Sequence, residues 1–61
     1  MTYSAAKEAI QRKAVASLEA GEDFNFSVWS TFDLQDLEFA AEIWNSPIAN
    51  AAILAELDRR P

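Results

Sequence analysis

Asp33 and Asp36 stand three residues apart, a spacing at which two carboxylates on one helical turn can do acid–base work or hold a hard cation. Both also fall where a helix would begin, and an acid in a first turn is already explained by the positive end of the helix dipole. The chain has no histidine and no cysteine, so no imidazole base, thiol nucleophile, redox couple or usual zinc ligand set accompanies them. No EF-hand spacing, phosphate-cradling glycine loop or serine nucleophile motif is present either. The expectation is a chain without catalytic residues, metal or cofactor, and one that binds rather than catalyses. Trp29 and Trp44 could stack on nucleobases, but no Lys or Arg accompanies them, and they are read as core or interface anchors.

Charge says more than any motif. The formal net charge is -5, and between Ala14 and Asp58 there are nine acidic residues and no basic one. Such a stretch repels phosphates and disfavours nucleic acid as a partner. These carboxylates serve as solvated faces that keep an apolar small protein soluble. The sharper reading is a surface that meets a basic partner protein. Glu38 and Glu42 share one helical face and Asp36 extends it, so Asp36, Glu38 and Glu42 are the candidate partner surface.

Three helices are expected to carry these residues. The first spans about residues 4–20, with Thr2 or Ser4 as cap and Gly21 as terminator. Ile10, Ala14 and Leu18 form its apolar stripe, with Tyr3, Ala6 and Val15 at the margins. Residues 22–32 have no helical period: Phe24, Phe26 and Val28 alternate with Asn25 and Ser27 as a half-buried strand would. The expectation is an extended connector whose aromatic side chains plug the core, since a strand would need an intermolecular partner. A second helix, about residues 33–44, repeats Leu34, Leu37, Ala41 and Trp44, widened by Phe39, Ala40 and Ile43. Ser46 as cap and Pro47 at the first helical position open a third helix, about residues 47–59.

The 61 residues make one small helical domain, 1–61, whose stability margin is thin at this length. Four Phe, two Trp, one Tyr, five Leu, four Ile and two Val exceed what three short helices can hide. The expected fold is all-α, three short helices packed as a helical homodimer, with the surplus buried between copies. Phe26, Trp29, Leu37, Trp44, Leu54 and Leu57 are the candidate dimer or docking interface. No apolar run is long enough for a membrane span, and the opening residues lack the pattern of a signal peptide. A cytoplasmic location is expected, with no membrane partner.

From Phe24 onward, Phe24-Asn25-Phe26-Ser27-Val28 followed by helix, tight turn and helix resembles the ribbon-helix-helix repressors. That likeness implies paired ribbons with Asn25 and Ser27 facing outward, in a transcription-associated dimer or antitoxin. The chain departs from the pattern in having an extra helix before the ribbon, no basic residue on it and acid on both flanks. In size, acidity, lack of cysteine and helical content it also resembles the small early-region accessory proteins of lambda-like temperate bacteriophages. That likeness implies regulation of a host protein by binding, in the host cytoplasm. A third reading is a structural subunit whose apolar faces are covered in a larger assembly.

Overall fold

The computed structural model describes residues 5–61; the capping expected of Thr2 or Ser4 and the place of Tyr3 lie outside the described residues. Alanine and long polar side chains favour helix over the first segment, and α1 runs Ala5–Glu19. It stops at Gly21, whose φ of 73° a residue with a side chain adopts only at a cost. The Glu22 N–H reaches the Ser17 carbonyl at 3.1 Å and the Gly21 N–H the Leu18 carbonyl at 3.2 Å, closing the helix end. The buried face is Gln11, Ala14, Val15 and Leu18, which keeps Ala14, Leu18 and the marginal Val15 of the expected stripe and replaces Ile10 with Gln11. This spacing of three, one and three gives the broader band that a helix needs to touch two neighbours. Ile10 is left in solvent.

The second helix, α2, runs Thr31–Ile43. It starts before residue 33 because Ser30 is the cap, its Oγ accepting the Asp33 N–H at 3.0 Å. At the far end Asn45, at φ 56°, takes the left-handed position, with its N–H on the Glu42 carbonyl and the Ser46 N–H on the Ala41 carbonyl. Third in order is α3, Pro47–Arg59, with the proline in its first turn. Ser46 does not cap it through its side chain. Its N–H is committed to the end of α2 and its hydroxyl donates to the Glu19 carboxylate. The buried Ser46 thereby ties the end of α1 to the α2–α3 turn.

The connector does plug the core with its aromatic side chains, as expected, but it is not extended throughout and is not the alternative strand. The Asn25 Oδ1 accepts the Ser27 N–H at 3.1 Å and folds Phe26–Val28 into one 3₁₀ turn; among the described residues there is no strand. A side-chain acceptor two residues back gives the backbone a local alternative to sheet pairing. Phe24, Phe26 and Trp29 pack against the core, the two phenylalanine rings edge to face at 4.9 Å. Arg60 holds this turn in place. Its guanidinium donates to the Trp29 and Phe26 carbonyls, each at 3.0 Å, and to the Thr31 hydroxyl at 3.1 Å.

Leu34, Leu37 and Ile53 are fully enclosed, with Ala41 and Ala49 between them. Small side chains at 41 and 49 let α2 and α3 approach closely, and theirs is the most extensive helix contact; that between α1 and α2 is the least. No helix among the described residues is long and apolar enough to cross a membrane.

Candidate functional site

The buried face of α2 is Leu34, Leu37, Ala40 and Ala41. With a helical period, residues 32, 39 and 43 fall together on a different side. Phe32 is 79% exposed, Phe39 61% and Ile43 64%, so α2 carries a second apolar stripe that stands exposed among the described residues. Beside it, the thin α1–α2 contact leaves a groove of about 410 Å³, walled by Phe39, Ile43 and Trp44 with Lys7, Glu8 and Asp36.

The polar rim is set by pairs between helices. Lys7 on α1 donates to Asp36 on α2 at 2.7 Å. Glu8 accepts from Arg12 at 3.0 Å, and the Arg12 guanidinium lies 4.4 Å from the centre of the Trp44 ring, a cation–π stack at the groove's end. Asp33 and Glu42 are exposed and in no ion pair among the described residues.

The three candidate partner acids are therefore unequal. Asp36 is engaged by Lys7, and Glu38 is half-buried and accepts from the Asn50 amide at 2.8 Å, so only Glu42 stands fully outward. Of the candidate interface residues, Leu37 is wholly enclosed and cannot offer a surface. Phe26, Trp29, Trp44 and Leu57 pack against the core of their own chain. Leu54, 48% exposed, points away on α3. Sequence reasoning missed Phe32, because placing it in the connector cut the stripe it shares with Phe39 and Ile43. The separation of seven and four between these residues was the available signal.

The arrangement offers apolar area with a carboxylate rim. Among the described residues no three of His, Cys, Asp or Glu are gathered to hold a metal ion. A shifted titration lies elsewhere: hydrogen bonds from Arg59 and then Arg60 hold the Glu56 carboxyl below its usual range, against an opposing push from partial desolvation. Comparison with protein families, curated proteins and solved structures finds no match to this chain.

Proposed function

We propose that this chain is a small acidic protein-binding module that modulates a partner protein, an accessory or regulatory factor of the kind that lambda-type phages encode for use in the host cytoplasm. The observation that carries this reading is the exposed stripe Phe32, Phe39 and Ile43. Two aromatic rings and a branched aliphatic in a row on one helix face are the kind of anchors that dominate binding energy, and leaving them in water gains the fold nothing. The carboxylates along α2 favour a basic partner.

A second observation favours self-association as well. On α3, Ile48, Ala51, Leu54 and Ala55 are exposed in one band that carries no charge before Asp58. A face uncharged from Ile48 to Ala55 can meet its own copy over that stretch without like-charge repulsion, and its alanines allow close approach, so we assign a homodimer contact to α3.

A photoreactive phenylalanine analogue placed in turn at Phe39, Leu54 and Lys13, in the cells that make the protein, tests both readings. The expected outcome is a covalent adduct with a different protein from position 39, an adduct of two copies from position 54, and neither from position 13. No adduct at 39, or the same adduct at 39 and 13, overturns the module reading.

A further inference from the structure

We infer that the occupant of the exposed α2 stripe, Phe32, Phe39 and Ile43, and of the α1–α2 groove that its Phe39 and Ile43 help to wall, is an amphipathic helix whose apolar stripe is flanked by Lys and Arg. This rests on the protein-binding reading above and names the chemistry of its partner. The stripe's length is the first argument. From Phe32 to Ile43 the helix rises about 16 Å, three turns, which is long enough to receive the i, i+4, i+7 anchors, about two turns, of a helix laid along it. A peptide that adds as a β-strand would need an exposed sheet edge, and the described residues include no strand.

Charge complementarity selects the flanks. Acids of α2 stand on both sides of the stripe: Glu42 on one side, Asp33 and Asp36 on the other. No Lys or Arg lies on α2. The cations of the facing wall are already held, Lys7 by Asp36 and Arg12 by Glu8. A second copy docked α2 against α2 would set these carboxylates against one another, a repulsive arrangement, whereas a helix with basic flanks meets Asp33 and Glu42 with opposite charge. The uncharged band on α3 remains for self-pairing.

Three synthetic helical peptides of about five turns make the test, titrated against the full chain by calorimetry and by tryptophan fluorescence at about 0.15 M salt. One has a leucine stripe with Lys and Arg flanks, one the same stripe with Glu flanks, and one the basic flanks with the stripe replaced by Ser and Gln. The expected result is saturable binding of the first alone. Phe39→Ser should weaken it at least about tenfold while leaving helical circular dichroism unchanged, because the side chain is outside the core. Asp33→Asn with Glu42→Gln should weaken it several-fold and flatten its salt dependence.

Equal binding of the Glu-flanked peptide, equal binding of the stripeless one, or no binding of any overturns the inference. So does loss of binding with Leu54→Ser but not with Phe39→Ser. If position 39 crosslinks to a protein while the basic peptide fails to bind, the partner chemistry is wrong and the module reading survives. If both fail, both are wrong.

Discussion

At Arg60 a single side chain joins the end of α3 to a segment about thirty residues away in sequence, the 3₁₀ turn and the start of α2. A planar guanidinium can serve two carbonyls and a hydroxyl at once, and a lysine cannot reproduce that fork. Arg60→Ala should lower the stability to urea by about 2 kcal/mol, followed by Trp29 fluorescence, and Arg60→Lys should recover only part of it. The neighbouring Glu56 makes folding sensitive to acid. Because its carboxyl titrates below the usual value of 4.5 when folded, its contribution is complete above that value and is lost as pH falls through the lower folded one. Glu56→Gln should therefore flatten the acid limb of a stability–pH profile, below the usual carboxylate range, and leave the neutral slope unaltered.

At the scale of elements, the two helix ends that use left-handed residues are not equivalent. Gly21 adopts its conformation freely, while Asn45 does so with a side chain. Asn45→Gly should raise stability by a few tenths of a kcal/mol, and Asn45→Ala should lower it by about 1 kcal/mol, both read as shifts of the urea midpoint. The end of α1 at Gly21 and the start of α3 at Pro47 were legible in the sequence, because both residues act through backbone geometry that depends on neighbours only weakly; the left-handed Asn45 came from the structure. The 3₁₀ turn was not. Its alternation of Phe24, Phe26 and Val28 is a strand pattern in composition, and only the Asn25 side chain, two residues from the amide it captures, overrides it. Nor was the α2 surface legible, since a helix with apolar residues on two sides does not declare which side its own chain will cover. The buried choice, Leu34, Leu37 and Ala41, was fixed by the close approach of α3.

For the whole molecule, polar contacts hold elements together where a larger protein would rely on more core, among them Lys7 to Asp36, Glu19 to Ser46, Glu38 to Asn50, and Arg60 to the connector. What remains outside is an aromatic stripe on α2 and an aliphatic band on α3, and the assembly proposed above separates their uses. Leu54→Lys should halve the mass measured by sedimentation while leaving groove binding intact. The uneven helix contacts carry a further consequence. Since α1 shares less contact with the rest than α2 or α3 does, its amides should exchange with deuterium through a local opening cheaper than global unfolding, whereas those around Leu37 and Ile53 should wait for the whole chain to unfold. A helix seated between α1 and α2 would hold that opening shut, so occupancy should be recorded as slowed exchange along α1, including turns that the visitor never touches.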